Sequence, residues 1–444
     1  MNAGRHVHSS PRDLAGKRVT VVGLGRFGGG VGVTRWLCRQ GARVTVSDQA
    51  GAEELAESVD KLSGCDVALH LGGHEEADFL TADLLVVNPA VAKGSPLLAA
   101  AEEAGVPRTS EINLLLERCP GTVVGVTGSV GKSTTTAMIG EVLARRYITH
   151  VGGNIGGSLL NDLTDMRAED MVVLELSSFQ LEDVPLVGIS PHVAVVTNIQ
   201  ANHLDRHGTM SAYADAKKNI FAFQGREDVL VLNSADKALI SWAADAPGRI
   251  EMFDPGGEAF ELIVPGAHNQ ANAQAAWAAA RQLGIDRQTA AEALRAFTGL
   301  PHRLQLVAER DGVRFVDDSK CTTPAGAIVA LEAFEPGQCV IIVGGYDKGV
   351  SFDELGRAIA RRAKAVVAMG ATREQIVSAV ATAREGGLPE IARAEDFASA
   401  VSLACEYAKG GEVVLLSPAC ASYDQFANYE QRGQAFVELV SPAE

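Results

Sequence analysis

One stretch, residues 123–136, constrains the fold of this chain more than any other. It reads VVGVTGSVGKSTTT, in which a short apolar run enters a glycine-rich turn and Lys132 and Ser133 open a helical pattern. This order predicts a strand, a phosphate-binding loop and a helix, because glycines let backbone amides face an oxyanion at the positive end of the helix. The stretch therefore predicts an α/β domain that binds ATP.

The loop departs by one residue from the usual phosphate-loop pattern. That pattern has a glycine five positions before Gly131, where this chain has Val126, and the nearest glycine is Gly125. An ordinary strand–turn–helix connection is the alternative, but several hydroxyl side chains and a lysine around one turn favour phosphate binding. We expect Lys132 on the terminal phosphates and Ser133 on Mg²⁺. The full predicted set is Gly128, Ser129, Gly131, Lys132, Ser133 and Thr134.

Length and composition exclude several classes of protein. A chain of 444 residues is too long to fold around one ordinary hydrophobic core, so its length predicts two to four domains. A net charge of −16 argues against a surface for nucleic acid or anionic membranes. Seven scattered cysteines without a C-x-x-C motif predict free thiols in a reducing compartment. With no membrane-length apolar run and no signal-peptide core, we expect a cytoplasmic protein.

A second glycine motif follows the first predicted strand, Arg18–Val22. Residues 23–28 read GLGRFG and precede a predicted helix at 31–39, and Asp48 ends the next strand twenty residues after Gly28. This spacing is typical of a dinucleotide site, but it also fits close packing of a helix on a strand. Asn88 follows another predicted strand, Leu84–Val87, at the edge where open α/β sheets bind ligands. Its alternative role is that of a turn residue.

Candidate metal ligands follow the strands of the central segment. Glu175 lies in the apolar strand 171–176, where a carboxylate without a partner is unusual. His203 follows a strand at 192–196, and with Ser133 and Glu175 it forms a candidate Mg²⁺ site, although histidine is a second-rank ligand for that ion. A lone histidine is more often structural, but its place beside a phosphate loop favours a functional role.

The rest of the chain continues to alternate strands and helices. Asn269 and Asn272 lie one turn apart on an alanine-rich helix, where they either contact a base or cap the helix. A predicted hairpin at 305–316 precedes the stretch DDSKCTTP. GGYDK and SPACAS each follow a later predicted strand, at its ligand-binding end.

With these motifs in this order, the chain resembles the Mur ligases of peptidoglycan synthesis, and among them the branch that adds D-glutamate. The resemblance runs from about Val19 to the end and is carried by GVTGSVGKST, GGNIG, LELSSFQLE, TNIQANHLDRH, YADAKKNIF, HNQAN, LPHR, DDSKCTT and LLSPACASYDQF. It implies an α/β protein of three domains after a loose tail at 1–14. These are a UDP-binding Rossmann-like domain at 15–111, a central ATP-binding P-loop domain at 112–298 and an amino-acid-binding Rossmann-like domain at 299–444.

The resemblance also implies the reaction. It is the ATP-dependent ligation of D-glutamate to UDP-N-acetylmuramoyl-L-alanine through an acyl phosphate, by a monomer with two Mg²⁺ sites. The second Mg²⁺ would lie on Glu175, His203 and a carbamylated Lys217. The implied catalytic residues are Lys132, Asn154, His203, Lys217, Asp318 and Lys320. The implied additional ATP contacts are Asn269, Asn272 and Arg303.

Two substrate sites follow from the same resemblance. The implied UDP-sugar contacts are Gly25, Arg26, Phe27, Asp48, Gln49, Asn88, Pro89, Ser177 and Gln180. The implied D-glutamate contacts are Thr322, Lys348, Ser422 and Tyr429, the last of which is often phenylalanine in the family.

Two residues depart from the family pattern. Val130 stands where the family usually has asparagine or threonine, and a valine would be strained there if the position needs a positive φ. Thr323 replaces an asparagine and leaves that contact open. The D-N-P-R motif of relatives that add diaminopimelate is absent, which argues against that substrate.

Three other functions remain open at this stage. The first is another ATP-dependent amino-acid ligase of the same fold. The second is an NAD(P)-linked oxidoreductase built on Gly23–Gly28 and Asp48, which leaves residues 123–136 unexplained. The third is a non-catalytic P-loop regulator that hydrolyses ATP without an amino acid.

Overall fold

The computed structural model describes residues 10–26 and 28–441, which form two compact units. The first unit comprises the chain up to Glu258 together with Ala271–Ala293, and it holds two parallel sheets. The second unit comprises Ala259–Gln270 and the chain from Leu294, and it holds one mixed sheet. Three α/β sheets agree with the predicted fold class, while the domain boundaries at 15, 112 and 299 stay predictions.

The first sheet has five parallel strands in the order β3-β2-β1-β4-β5. Its strands are β1 Arg18–Val22, β2 Arg43–Asp48, β3 Val67–Leu71, β4 Leu84–Val87 and β5 Arg108–Thr109, and its helices are α1 Gly29–Arg39, α2 Ala56–Asp60, α3 Glu76–Leu80 and α4 Pro96–Glu103. The chain order reverses between β1 and β4, so the turns that follow these strands border the crevice where such sheets bind ligands. The turn after β1 is the GLGRFG loop, and the turn after β4 begins at Asn88.

The second sheet has six parallel strands in the order β11-β10-β9-β6-β8-β7. They are β6 Thr122–Thr127, β7 Thr149–Gly153, β8 Met171–Glu175, β9 Val193–Val196, β10 Val229–Asn233 and β11 Arg249–Phe253. The helices of this part of the chain are α5 Glu111–Arg118, α6 Lys132–Leu143, α7 Ser178–Leu181, α8 Leu204–His207, α9 Met210–Lys218, α10 Lys237–Trp242, α11 Ala267–Arg281 and α12 Arg287–Arg295. Because β6 lies between β8 and β9, the phosphate loop, Glu175 and the 197–203 loop meet at one edge.

The third sheet has the order β12-β13-β17-β14-β15-β16, with one antiparallel hairpin, β12–β13. Its elements are β12 Gln305–Arg310, β13 Val313–Asp317, α13 Pro324–Glu332, β14 Cys339–Gly344, α14 Asp353–Arg362, β15 Ala363–Met369, α15 Arg373–Ala383, β16 Glu390–Arg393, α16 Phe397–Tyr407, β17 Val413–Leu416 and α17 Tyr429–Val440. Strand β17 lies between β13 and β14, so the three loops that follow these strands are neighbours at one edge.

All seven cysteines are free. In the described part of the chain, no helix combines the length and apolar character needed to cross a bilayer.

The start of α1 packs directly on the turn after β1. A Cβ on Gly30 would lie 2.1 Å from the backbone oxygen of Leu24, whereas a Cβ on Gly29 would meet nothing within 4 Å. Glycine at position 30 therefore lets the helix approach the loop that borders the ligand crevice.

We expect Gly30→Ala to destabilise the protein by about 1–3 kcal/mol or more, because the clash involves backbone on both sides. Gly29→Ala is the matched control, and its effect should be neutral or slightly stabilising, since alanine favours a helix. Scanning calorimetry of the full chain measures both. Equal midpoints for the two variants would contradict the close approach.

Candidate functional site

Two glycines give the phosphate loop its shape. Gly128 has φ 150° and a Cβ there would lie 2.0 Å from Thr197 Oγ1, while Gly131 has φ 83° and a Cβ there would lie 2.5 Å from Asn272 Oδ1. Side chains are therefore excluded at both positions. Val130 is not among the described non-glycine residues with positive φ, so the strain considered from the sequence does not arise.

The loop that follows β9 clamps the phosphate loop. The Val130 amide donates to Asn198 Oδ1 at 3.0 Å, and Asn198 Nδ2 donates back to the Val130 oxygen at 2.9 Å. Thr197 Oγ1 donates to the same oxygen at 2.7 Å. Asn198 and Thr197 lie within a motif that signals the family, but nothing in the sequence showed that their side chains would bind this backbone.

Ser129 takes part in the same bracing. Its hydroxyl donates to the Gln200 oxygen at 2.9 Å, accepts from the Gln200 amide at 2.8 Å and lies 3.0 Å from the Tyr213 hydroxyl. Its amide donates to the Asn198 oxygen at 3.0 Å. Ser129, predicted to contact ATP, thus uses its polar groups to hold the loop.

The remaining predicted phosphate-loop residues open α6. Ser133 and Thr134 are buried, and Lys132 Nζ donates to the Ser129 oxygen at 3.1 Å. The three lie at the amino end of a twelve-residue helix, where the backbone dipole favours anions.

Glu175 lies buried at the end of β8 with only half of its carboxylate satisfied. Its Oε1 accepts from Asn154 Nδ2 at 2.9 Å, whereas its Oε2 has no hydrogen-bond partner among the described residues. An orphaned carboxylate oxygen in a buried site is costly unless a cation binds it. The residue therefore fits the metal site predicted for it.

Lys217 lies directly beneath the phosphate loop. It is 1% exposed, and its Nζ donates to the Gly128 oxygen at 2.8 Å and to Thr127 Oγ1 at 3.2 Å. Burial and the charge of Lys132 lower the pKa of Lys217 to about 7, while Glu175 opposes the shift. The structure thus brings Lys132, Glu175 and Lys217 near one another, while their roles stay predictions.

His203 precedes α8 with a left-handed φ of 53° and an exposed side chain. Burial of part of the ring and the charge of Lys132 lower its pKa, and Lys217 adds to the effect. His203 therefore shares the electrostatic environment of the phosphate loop.

A cavity of about 590 Å³ lies between the first two sheets, inside the first unit. Its lining includes the following residues predicted to bind the UDP-sugar or the acyl phosphate: Gly25, Arg26, Asn88, Pro89, Asn154, Ser177 and Gln180. Ser177 and Gln180 also form a capping box at the start of α7. Glu111, Phe179 and Arg206, which the sequence did not single out, line the same cavity.

Two members of the predicted UDP-sugar set, Asp48 and Gln49, lie apart from this lining. Asp48 Oδ2 accepts from the amides of Leu24 and Gly25 at 2.8 and 3.1 Å, so its carboxylate braces the glycine loop. Gln49 is exposed and outside the lining. Phe27 lies outside the described residues.

The structure confirms Asn88 as a turn residue, while its ligand-binding role stays a prediction. Its Oδ1 accepts from the Ala90 amide at 3.0 Å, which makes it a turn residue, and its side chain also lines the cavity.

The second unit places Asp318 and Lys320 in the loop after β13. Asp318 is buried, Ser417 Oγ donates to its Oδ2 at 2.7 Å, and burial raises its pKa to about 7 despite the nearby charge of Arg303. Lys320 Nζ lies 5.4 Å from the ring centre of Tyr429. The predicted residues Arg303, Asp318, Lys320 and Tyr429 are thus neighbours.

The predicted D-glutamate residues lie in adjacent loops of the same sheet edge. The Tyr346 amide donates to the Ala421 oxygen at 2.9 Å and joins the turn that holds Lys348 to the loop that holds Ser422. Ser422 is buried, Thr322 is half-buried and Lys348 is exposed.

Three residues whose contacts were left open have structural bonds. Thr323 caps α13 by accepting from the Gly326 amide at 3.3 Å. Asn269 Nδ2 donates to the Pro265 oxygen at 2.7 Å, and Asn272 Oδ1 accepts from Thr135 Oγ1 at 3.2 Å. Asn272 therefore braces the phosphate-loop helix, whatever else it contacts.

Comparison with known proteins gives three family matches in chain order. Residues 17–110 match the MurD-like N-terminal domain of Mur ligases, residues 126–260 the Mur ligase middle domain, and residues 302–420 the Mur ligase glutamate ligase domain.

Relatives in sequence match over nearly the whole chain. The UDP-N-acetylmuramoylalanine–D-glutamate ligase of Symbiobacterium thermophilum is 42% identical over 96% of this chain and 98% of its own length. The protein of the same name from Roseiflexus sp. is 40% identical over 96% and 99%.

Solved structures share the fold at lower identity. The UDP-N-acetylmuramate–alanine ligase MurC of Thermotoga maritima has a TM-score of 0.61 at 22% identity and covers 95% of this chain and 98% of its own. A MurF structure from Acinetobacter baumannii has a TM-score of 0.59 at 17% identity, with coverage of 95% and 93%. The extent of these family and sequence matches shows that the chain belongs to the Mur ligase family.

Proposed function

We propose that this protein uses ATP to join D-glutamate to UDP-N-acetylmuramoyl-L-alanine in the synthesis of peptidoglycan precursors. The observation that carries the proposal is the near full-length match, at about 40% identity, to ligases named for this reaction. The braced phosphate loop, with Lys217 and the half-satisfied Glu175 beside it, supports ATP-dependent chemistry at the same place.

The chemistry requires activation of a carboxylate. A free carboxylate is a poor acyl donor, because oxide would have to leave. Transfer of the γ-phosphoryl group of ATP to the carboxylate of the L-alanyl substrate gives an acyl phosphate and ADP. The amine of D-glutamate then attacks the acyl carbon, and phosphate leaves with formation of the amide.

The protein contributes mainly positioning and charge. Lys132 and the amino end of α6 would stabilise the transferring phosphoryl group, and Asn154, at the edge of the cavity, would contact the acyl phosphate. Asp318, Lys320 and Arg303 would act on the phosphates.

Mg²⁺ would be held by Ser133, Glu175, His203 and a modified Lys217. The unpartnered Oε2 of Glu175 is the feature that fits a hard cation, which prefers oxygen ligands. When bound, Mg²⁺ neutralises charge on the phosphates of ATP.

Carbamylation of Lys217 follows from the family resemblance and from charge. An ammonium group beside Lys132 and a divalent cation, in a site that excludes water, would be repelled strongly. The ammonium first loses one proton to give the neutral amine. The amine nitrogen then bonds to the carbon of CO₂ and loses a second proton, which leaves a carbamate with one negative charge and two oxygen atoms. Lys218, the next residue, pairs with Asp245 at 2.6 Å and is not a candidate.

D-Glutamate would bind at the edge of the third sheet. Its two carboxylates would meet Thr322, Lys348, Ser422 and Tyr429, which lie in neighbouring loops after β13, β14 and β17 and at the start of α17. The small-molecule substrates are the partners proposed, and the monomeric state and cytoplasmic location stay predictions.

The oxidoreductase alternative loses its main support. In a dinucleotide site, the acidic residue Asp48 would bind a ribose hydroxyl. Here its carboxylate accepts hydrogen bonds from backbone amides of the glycine loop. The domain that holds this loop matches the MurD-like N-terminal family.

The proposed reaction predicts that ADP release with UDP-N-acetylmuramoyl-L-alanine requires D-glutamate. L-Alanine or L-lysine in its place separates this activity from other ligases of the fold, and ADP release without any amino acid would favour a P-loop regulator.

Lys132→Ala should reduce ligation by about a hundredfold or more, since it removes charge stabilisation of the phosphoryl group. Substantial ligation by that variant would overturn the assignment of the phosphate loop.

For Lys217→Ala we expect near-complete loss of ligation, with partial recovery when short carboxylic acids are added, because they replace the carbamate oxygens. Lys218→Ala is the matched control and should stay active. Assays in CO₂-depleted buffer give the second readout. Near-normal activity of Lys217→Ala in that buffer would exclude the carbamate.

Thr322→Ala should raise the KM for D-glutamate by about tenfold or more, the cost of losing a hydrogen bond to a charged group. The KM for ATP should change little, and Thr382→Ala, at an exposed position of α15, serves as the control. Equal changes in both KM values would mean that the substitution perturbs folding or closure.

A further inference from the structure

Arg206 reaches from α8 to the turn after β4, where it meets three consecutive backbone carbonyls. Its Nη1 donates to the Ala90 oxygen at 3.3 Å, and its Nη2 donates to the Val91 oxygen at 3.3 Å and to the Pro89 oxygen. This turn begins at Asn88 and borders the 590 Å³ cavity, which Arg206 also lines. A planar guanidinium with a fixed fork of donors suits such a group of acceptors, whereas a lysine ammonium does not match it.

An aromatic stack continues from the same guanidinium. Arg206 lies over the Phe179 ring with 4.3 Å between the guanidinium carbon and the ring centre. His207 stacks on Phe179 at 5.3 Å and 13°, and His203 meets it edge-on at 5.0 Å. Phe179 therefore contacts three side chains from α8 and the residue before it.

The other end of the stack is held by Ser178 of α7 and by Glu182, the residue that follows this helix. His207 Nε2 lies 2.9 Å from Ser178 Oγ, and its Nδ1 lies 3.2 Å from Glu182 Oε1. With both ring nitrogens engaged, His207 holds the short helix α8 against α7.

A second cation fastens the same turn. Lys93 Nζ lies 2.5 Å from Asp183 Oδ2, and the side chain of Asp183 is almost fully buried. The segment 89–93 of the first sheet's domain is thus tied to the domain of the second sheet by two positive side chains, Arg206 and Lys93.

We infer that Arg206 is a positioning residue that couples the UDP-sugar cavity to His203. Helix α8 has only four residues, Leu204–His207, so a shift of Arg206 displaces His203 with it. His203 also has a left-handed backbone, a strained conformation that persists only where its surroundings impose it. A sugar nucleotide seated against residues 88–91 would stabilise the turn that holds Arg206, and thereby the place of His203. The inference rests on the proposed function.

Two substitutions at this position and one at the second tie test the coupling. Arg206→Ala removes both the carbonyl bonds and the stack, Arg206→Lys keeps the charge without the fork, and Lys93→Met breaks only the second tie. Arg145→Ala is the control, because its exposed side chain makes no ion pair or side-chain hydrogen bond among residues 10–26 and 28–441. Calorimetry measures the Kd for UDP-N-acetylmuramoyl-L-alanine, and ADP release gives kcat, the KM values and the Mg²⁺ concentration for half-activation.

We expect Arg206→Ala to lower kcat by about tenfold to a hundredfold, as misplacement of a site by an ångström does. The Kd for the sugar nucleotide and the half-activating Mg²⁺ concentration should rise together, while the KM for ATP changes little. Arg206→Lys should recover only a small part of the loss. Lys93→Met should raise the Kd and leave the Mg²⁺ dependence unchanged, because it does not contact α8.

A purely structural role would lower the melting temperature and the active fraction, and leave the Mg²⁺ dependence and the Kd of the remaining enzyme unchanged. That result, or wild-type values throughout for Arg206→Ala, would overturn the coupling. Absence of D-glutamate-dependent ADP release by the unmodified protein would instead refute the proposed function, so the two failures are distinguishable.

Discussion

The burial of Lys217 beneath the phosphate loop is the interaction on which the centre of the first unit depends. Its amine bonds the Gly128 oxygen and Thr127 Oγ1, so one side chain from α9 fixes the point where β6 becomes the loop. A buried cation near Lys132 is unfavourable, and Glu175 offsets only part of that cost. The site therefore holds a buried lysine whose pKa is strongly lowered, and groups with perturbed pKa values cluster at functional sites.

Much of the fold was predictable because strands, glycine turns and helices follow one another with little interruption. The strand and helix around the phosphate loop, and the strands Arg18–Val22 and Leu84–Val87, have the predicted places to within one or two residues. Where glycines flank an apolar run, they mark the residues at which the strand begins and ends. The order of strands within each sheet could not be read in this way, since pairing depends on contacts distant in sequence.

The site was less predictable, for a different reason. A motif names a residue type and a position, but it does not say whether the polar atoms face a ligand or the protein. Asp48 and Ser129 were assigned to ligands from spacing, and both turn their polar groups to backbone within the fold. Arg206 lay inside a recognised motif, yet its three carbonyl partners lie more than 100 positions away. Only the fold brings such pairs together.

The net charge of −16 would be expected to repel the proposed substrates, which are all anions. This repulsion is weak because charges act strongly only over short distances in salt solution. At physiological ionic strength, charges more than about 8 Å apart are largely screened, so the overall charge acts weakly at any one site. Recognition then depends on groups in contact with the ligand. These include the amides of glycine turns, the amino end of α6 and single cations such as Lys132, each held by the surrounding fold. An acidic exterior is thus compatible with anion binding, provided that the local donors are fixed in place. The side chains of Asn198, Thr197 and Asp48 fix the two glycine loops in this way, through bonds to backbone.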